Sequence, residues 1–265
     1  MTNAADLGAM TGADASQEAP SLRSVVTAAG YVPHEPWAWD GYKTTIIALA
    51  RQYGLRRLLE IGGGRDPLFT PEEAARYGFE VTINDISQVE LDNMKADFQT
   101  VCFDISGDIS SPGIRKGVYD LAYSRMVFEH VRDVRQAWTN LHAMLAPGGV
   151  AIAFHPTLFC PPFVVNRLMP ERLSSAIVKA LFKKRTAEED PKFPAFYDRC
   201  YGAAWLVEPA LREIGYRDVA VLPFYGHNYF ERLPGLREVD NAVSSLARRF
   251  GISLLSSYAY TIVRK

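Results

Sequence analysis

The sequence predicts an α/β fold in which helices cover both faces of a mostly parallel sheet. Short apolar runs alternate with helical stretches between Leu55 and Phe154, at the pitch of strand–helix–strand units. Glycine and acidic residues follow several of these runs. In a parallel sheet, ligands bind beyond the carboxyl ends of the strands. These observations predict a ligand-binding domain.

The alternation begins after a helical region, which we place at Leu22–Tyr53. Thr70 and Ser87 each begin a helix, because a glutamate follows each of them three residues later, as in a capping box. Gly78 ends the first of these two helices. The predicted strands of this half are Leu55–Ile61, Phe79–Asn84 and Thr100–Phe103.

The second half continues with two strands, Val118–Tyr123 and Val150–Phe154. Between them, a helix begins at Asp133 and carries apolar residues at helical spacing. Residues 156–200 interrupt the pattern and predict an inserted segment folded over the site. A helix over 201–215 and strands over 218–224 and 254–263 complete the sheet.

Composition indicates a soluble globular protein with an ordinary core, since 48% of the 265 residues are hydrophobic and 22% are charged. We expect a disordered tail over 1–20 and a single domain over 21–265. The net charge of −1 argues against a nucleic-acid partner. Three cysteines with wide spacing match neither a disulfide framework nor a zinc site. They favour a cytoplasmic location, and no metal is predicted.

The stretch LLEIGGGRDP, residues 58–67, is the most informative part of the sequence. A dinucleotide fingerprint would place a third glycine where Pro67 stands, and its pyrophosphate would bind at the following helix. Asp66, Glu72 and Glu73 would repel that anion. A nicotinamide oxidoreductase is therefore disfavoured.

A cationic ligand without phosphates suits this loop better, and S-adenosylmethionine is one. Glu60 would lie beside its positive groups, and Asp85 would accept hydrogen bonds from its ribose hydroxyls. Asp104 would reach the adenine amino group, with Ile86 and Ile105 against the ring. The glycines would let the carboxypropyl arm approach the backbone.

In its motifs, their order and their spacing, the sequence resembles the class I S-adenosylmethionine-dependent methyltransferases. The motifs are LLEIGGGRDP, VTINDIS, VCFDISGD, YDLAYSRMVFEHVRD and LHAMLAPGGVAIAF. The resemblance implies a Rossmann-like three-layer sandwich with a seven-stranded sheet and an antiparallel last strand, here with an inserted helical lid. One departure is Asp66, which stands at the last glycine position of the family's E-x-G-x-G-x-G pattern.

The resemblance also implies a set of cofactor contacts along these motifs. S-adenosylmethionine is the implied cofactor and S-adenosylhomocysteine the product. With the residues proposed above, the predicted cofactor-binding set is Glu60, Gly62, Gly63, Gly64, Asp85, Ile86, Asp104, Ile105, Ser124, Arg125 and Met126.

Two histidines at the carboxyl edge of the predicted sheet are candidate catalytic residues. His155 ends the fifth strand and is the first choice for a base that takes a proton from the acceptor. His227, in FYGHNYF, is the second choice. A purely structural role for either histidine stays open. The family resemblance implies that His130 shapes the loop around the cofactor, and a role in proton transfer stays open for it.

The insertion contains the least generic residues of the chain. One interpretation of 159–185 is a lid helix packed on the domain, and the other is a basic amphipathic helix that contacts a membrane or a lipid-linked substrate. Aromatic residues after it predict a sugar or ring pocket, or packing of the lid. They are Phe193, Phe196, Tyr197 and Tyr201.

These observations predict methyl transfer to a small-molecule or glycan-like acceptor, most readily at oxygen. The aromatic segment and PFYGHNYF are similar to methyltransferases of bacterial polysaccharide and glycoside pathways. The alternatives are carbon or nitrogen methylation of a quinone or another lipophilic precursor, and a non-catalytic protein that only binds the cofactor.

Overall fold

A computed structural model describes residues 19–111, 113–160, 164, 194–231 and 235–265. The predicted tail up to residue 18, Phe193 and most of the inserted segment, including nearly all of 159–185, lie outside the described residues. In the described ranges, no helix is long and apolar enough to cross a membrane.

The described residues form a seven-stranded sheet with the order β3-β2-β1-β4-β5-β7-β6. Strands β1 to β5 pair in parallel, and β7 is antiparallel to both of its neighbours. The strands are β1 Arg57–Ile61, β2 Glu80–Asp85, β3 Gln99–Cys102, β4 Tyr119–Arg125, β5 Leu145–Pro156, β6 Asp218–Phe224 and β7 Tyr258–Arg264. This topology confirms the predicted Rossmann-like arrangement.

The order of the strands reverses between β1 and β4, so this point is the topological switch where ligands bind in such sheets. Right-handed crossovers then place the helices before and after it on opposite faces. The helices are α1 Leu22–Ala28, α2 Glu35–Tyr53, α3 Pro71–Tyr77, α4 Gln88–Asp92, α5 Val134–Met144, α6 Ala204–Ile214 and α7 Leu236–Arg249.

Helix α2 packs on one face of the sheet through a buried tyrosine. The ring of Tyr42 lies 5.5 Å from that of Phe154 on β5 and 5.1 Å from that of Tyr260 on β7. Its hydroxyl donates a 2.6 Å hydrogen bond to the carbonyl of Ser124. The core therefore fixes the carboxyl end of β4, where the site is expected.

Three details differ from the sequence-based expectation. The long N-terminal helix is two helices, α1 and α2, with Gly30 at φ 94° and Pro33 in the break. Strand β5 starts at Leu145 instead of Val150, because the backbone pairs with β4 directly after α5 ends. Helix α7, Leu236–Arg249, was not predicted.

Candidate active site

The glycine loop after β1 lies in close contact with the turn after β4. Gly62 adopts φ 70°, which L-residues rarely do, and a Cβ atom placed on it would lie 2.4 Å from Cγ2 of Val127. Gly64, at φ 46°, would carry its Cβ atom 3.0 Å from Oδ2 of Asp85. The loop therefore brings the ends of β1, β2 and β4 together, as the sequence predicted.

The acid before the loop is buried beneath it. Both carboxylate oxygens of Glu60 accept hydrogen bonds from the backbone N–H of Leu68, at 3.1 and 3.0 Å, and Tyr123 donates its hydroxyl to Oε2 at 3.0 Å. Burial raises the pKa of Glu60 to about 7, although these hydrogen bonds oppose the rise. Glu60 thus anchors the loop from below, and its direct contact with the cofactor stays a prediction.

The end of β2 presents a carboxylate beside the loop. Oδ1 of Asp85 accepts the backbone N–H of Ser87 at 2.9 Å, which leaves Oδ2 facing Gly64. Partial burial raises the pKa of Asp85. The buried amide of Asn84 donates to the carbonyls of Val101 and Phe103 and so holds β3 against this strand end.

The end of β3 is an exposed turn held from below. Oδ1 of Asp104 accepts the N–H and the hydroxyl of Ser106. Asn140 on α5 donates to the carbonyls of Ile105 and Gly107, at 2.8 Å each. Sequence reasoning missed Asn84 and Asn140. Asn84 follows the last apolar residue of β2. Its amide side chain at the end of a predicted strand is the sequence signal that could have identified this residue.

The two isoleucines predicted to contact the adenine ring differ in accessibility. Ile86 is 62% exposed and is free to cover a ring, whereas Ile105 is 5% exposed and belongs to the core. Both adenine contacts stay predictions, and the structure favours that of Ile86.

The turn after β4 combines backbone strain with an unsatisfied polar atom. Met126 has φ 58°, and its N–H donates to the carbonyl of Phe154 at 2.8 Å. The Oγ atom of Ser124 is buried and has no hydrogen-bond partner among the residues that the structure describes. Strained residues and buried unsatisfied groups concentrate at functional sites. Arg125, the remaining predicted residue of this turn, is exposed.

These features fit S-adenosylmethionine by their chemistry. The loop offers backbone instead of side chains, Asp85 offers an acceptor for ribose hydroxyls, and Ser124 offers a hydroxyl without a partner. Arg65, the cation of the loop, is held by Glu90 through hydrogen bonds of 2.6 and 2.7 Å. An anionic pyrophosphate would have to compete with that carboxylate.

His155 is buried inside the sheet and fully hydrogen-bonded. It is 3% exposed, with Nδ1 3.1 Å from the carbonyl of Pro156 and Nε2 3.0 Å from the hydroxyl of Thr261. Since a carbonyl only accepts, Nδ1 carries the proton and Nε2 accepts from the threonine. Burial lowers the pKa of His155 to about 4. The geometry favours a structural role over the predicted base.

His227 has a hydrogen bond at one ring nitrogen, while the other, Nε2, forms no regular hydrogen bond within the described residues but lies close to a carboxylate. Nδ1 accepts the N–H of Tyr229 at 3.3 Å, and Nε2 lies 3.1 Å from Oδ2 of Asp240, a buried residue of α7. Burial lowers the pKa of His227, and the charge of Asp240 opposes this. The pair attaches α7 to the end of β6. This position, too, favours a structural role over a catalytic one.

The described residues contain no group of three or more histidine, cysteine or acidic side chains placed to hold a metal ion.

The contact between Gly62 and Val127 leads to a test of the loop. We expect Gly62→Ala to lower the affinity for S-adenosylhomocysteine and the free energy of unfolding, because the methyl group meets Val127 and the backbone is strained. Gly54→Ala is the matched control, since Gly54 has φ 67° and a Cβ atom placed on it would meet no described atom within 4 Å. Calorimetry and urea denaturation measure both quantities.

The double variant Gly62→Ala/Val127→Ala separates the two causes. It should recover the part of the stability that the clash removes, and should then resemble Gly54→Ala, with a residual cost of about 1–2 kcal/mol for the left-handed backbone. Equal effects of Gly62→Ala and Gly54→Ala would show that the close contact between the two turns is unimportant.

Comparison with known proteins agrees with this geometry. The model of a family described as a methyltransferase domain matches residues 42–160, from α2 to the residues after β5. This range contains the loop, the carboxylates and the turn described above. A search of curated proteins finds no match.

Solved structures with a similar chain course include several methyltransferases. A SAM-dependent methyltransferase from Archaeoglobus fulgidus has 17% identity and a TM-score of 0.48, over 86% of this chain and 97% of that one. Another, from Mesorhizobium loti, has 14% identity and a TM-score of 0.49, and the match covers 80% of this chain and 91% of that one. Phosphoethanolamine N-methyltransferase 2 of Haemonchus contortus has 13% identity and a TM-score of 0.44, and the match covers 93% of this chain and 60% of that one.

The matched domain, the sheet topology and the site at its switch point all point to the same chemistry. Residues 42–160 are therefore similar to a methyltransferase domain, and the residues gathered at the switch point suit S-adenosylmethionine as the cofactor of such a domain.

Proposed function

We propose that this enzyme transfers the methyl group of S-adenosylmethionine to a hydroxyl oxygen of a small-molecule or glycan-like acceptor in the cytoplasm. The observation that supports this most directly is the segment 194–201, which packs on the turn after β4. The segment is rich in aromatic and charged residues, a composition suited to polar rings.

Hydrogen bonds hold this segment in place next to the turn. Phe196 and Tyr197 donate their N–H groups to the carbonyl of Glu129, at 2.7 and 3.1 Å. His130 Nδ1 lies 2.9 Å from the carbonyl of Pro194, at the start of the segment. The segment therefore borders the switch point, where an acceptor has to approach the cofactor.

Aromatic and charged side chains contact one another in and around the segment. The guanidinium of Arg132 lies over the ring of Phe196, 5.0 Å from its centroid. Tyr201 stacks on Phe159 at 5.6 Å. Tyr197, with φ 53°, is buried in a strained conformation. A wall of this kind favours a polar ring over a purely aliphatic chain.

S-adenosylmethionine supplies a methyl group on a sulfonium, which is already an activated leaving group. The protein's part is to bind, align and exclude water. Positioning alone contributes on the order of 7–11 kcal/mol in favourable cases. The glycine loop and Asp85 would hold the cofactor, and segment 194–201 would orient the acceptor.

Transfer of a labelled methyl group tests the acceptor class. Methyl-labelled S-adenosylmethionine is incubated with an alkyl glycoside, a secondary amine and a quinol, and each is paired with an analogue already methylated at the reactive atom. We expect label in an ether of the glycoside and none with its methylated analogue. Label on amine nitrogen or quinol carbon would contradict oxygen transfer. Binding of S-adenosylhomocysteine without transfer to any acceptor would indicate a non-catalytic protein.

A further inference from the structure

Glu129 is a buried carboxylic acid with an unused oxygen. The residue lies in a short 3-10 turn, Phe128–His130, directly after β4, and is 3% exposed. Within the described part of the chain, its Oε2 atom has no hydrogen-bond partner. Buried polar groups almost always have partners, and an exception calls for a functional reason. Sequence reasoning considered the neighbouring histidine and passed over this residue.

The charged groups around Glu129 do little to stabilise its ionised form. His130 Nε2 lies 3.7 Å from Oε1, but its other nitrogen is held by Pro194. On segment 194–201, burial raises the pKa of the Cys200 thiol, and the charges of Glu129 and Asp198 add to this rise. Asp198 also accepts the N–H of Val134. His155 lies on β5, the strand behind the turn, with both nitrogens engaged. Burial raises the pKa of Glu129 to about 8.

The turn that carries Glu129 contacts both the glycine loop and segment 194–201. Val127, two residues earlier, touches Gly62. The backbone carbonyl of Glu129 accepts both N–H groups that hold segment 194–201. Two residues of that segment, Tyr197 and Arg199, have positive φ values of 53° and 50°. Strain in a well-anchored segment is typical of a binding site.

We propose that Glu129 is the general base of the reaction and takes the proton of the acceptor hydroxyl on Oε2. This inference rests on the proposed oxygen transfer and names a residue for it. The acceptor O–H bond breaks and its proton goes to Oε2, while the oxygen forms a bond to the methyl carbon. The carbon–sulfur bond breaks, its electron pair stays on sulfur, and neutral S-adenosylhomocysteine results.

The burial of Glu129 suits this role. The reaction removes a positive and a negative charge and leaves neutral groups, a change that a water-poor environment favours. A base also works best when its pKa is near the operating pH. Both histidines predicted for this task already use the nitrogen that would have to accept the proton, whereas Oε2 of Glu129 accepts no hydrogen bond from the described residues.

The state of the carboxyl group can be followed without turnover. In full-length protein with ¹³C-labelled glutamate side chains, one carboxyl resonance should titrate near pH 8 and be absent from Glu129→Gln. It should be retained in the control Glu80→Gln, at the exposed start of β2. S-adenosylmethionine should lower its midpoint by about one pH unit or more relative to S-adenosylhomocysteine, since only the former carries the sulfonium charge.

Equal midpoints with the two ligands would overturn the proposal, because the carboxyl group would then lie too far from the methyl group. Failure of both ligands to bind would instead contradict the proposed function. With a hydroxylated acceptor, Glu129→Gln should lower kcat at least about 100-fold at unchanged affinity for S-adenosylhomocysteine. The rise of kcat with pH should disappear, and Glu129→Asp should restore part of the activity. Wild-type kcat in Glu129→Gln would also refute the proposal.

Discussion

Replacing Asp85 by alanine is expected to weaken binding of S-adenosylhomocysteine about 100-fold. Oδ2 of this residue faces Gly64 at the mouth of the loop, while Oδ1 is occupied by the N–H of Ser87. A carboxylate that accepts ribose hydroxyls contributes about 1.5–3 kcal/mol per hydrogen bond. A loss of about 3 kcal/mol corresponds to a 100-fold change in Kd, which isothermal titration calorimetry resolves.

Two further variants test whether the loss is specific to this oxygen. Asp85→Asn keeps the shape of the side chain and an acceptor for Ser87, so its affinity should be intermediate. Asp66→Ala removes an exposed acid from the same loop and should bind as the wild type does. If Asp85→Ala binds the ligand with unchanged affinity while its unfolding midpoint is normal, the ribose contact is assigned to the wrong residue.

The sheet and the cofactor loop could be predicted because their signals are local. Strands β1, β4 and β5 contain apolar runs, and capping boxes or glycines mark ends of the helices between the strands. The late start of α3 at Pro71 follows from the same rules. In a parallel sheet the strand ends meet at one edge, so the glycines and Asp85 could be brought together without a structure.

Other features depend on distant pairs that a single sequence does not reveal. His155 was predicted from its place at a strand end, but Thr261, far away in the chain, occupies its Nε2. His227 likewise depends on Asp240 of α7. That helix was missed although Leu236, Val239 and Val243 follow helical spacing. These side chains are 40–61% exposed, so α7 contributes little to the core that guided the prediction.

Glu129→Gln should stabilise the folded protein at neutral pH while removing activity. The pKa of Glu129 is raised by burial from 4.5 to about 8. Its folded state holds the proton more tightly than the unfolded state, so the stability it supports is complete below pH 4.5 and is lost as pH rises toward 8. One pKa unit corresponds to about 1.4 kcal/mol. Through this group, the free energy of unfolding of the wild type therefore falls by about 3 kcal/mol between pH 4 and pH 7. Glutamine is neutral throughout and loses nothing.

The quantity to measure is the difference in free energy of unfolding between Glu129→Gln and the wild type, from urea denaturation at several pH values. It should be small at pH 4 and reach about 3 kcal/mol in favour of the variant at pH 7. The difference removes the contributions of other titratable groups to the free energy of unfolding. His155 is one of them, because its lowered pKa destabilises the folded state in acid. Glu80→Gln, at an exposed position, should give a difference near zero at every pH. A variant less stable at pH 7 than the wild type would mean that Glu129 serves the fold. A more stable but inactive variant would mean that the enzyme keeps a costly buried acid because the reaction needs its free oxygen.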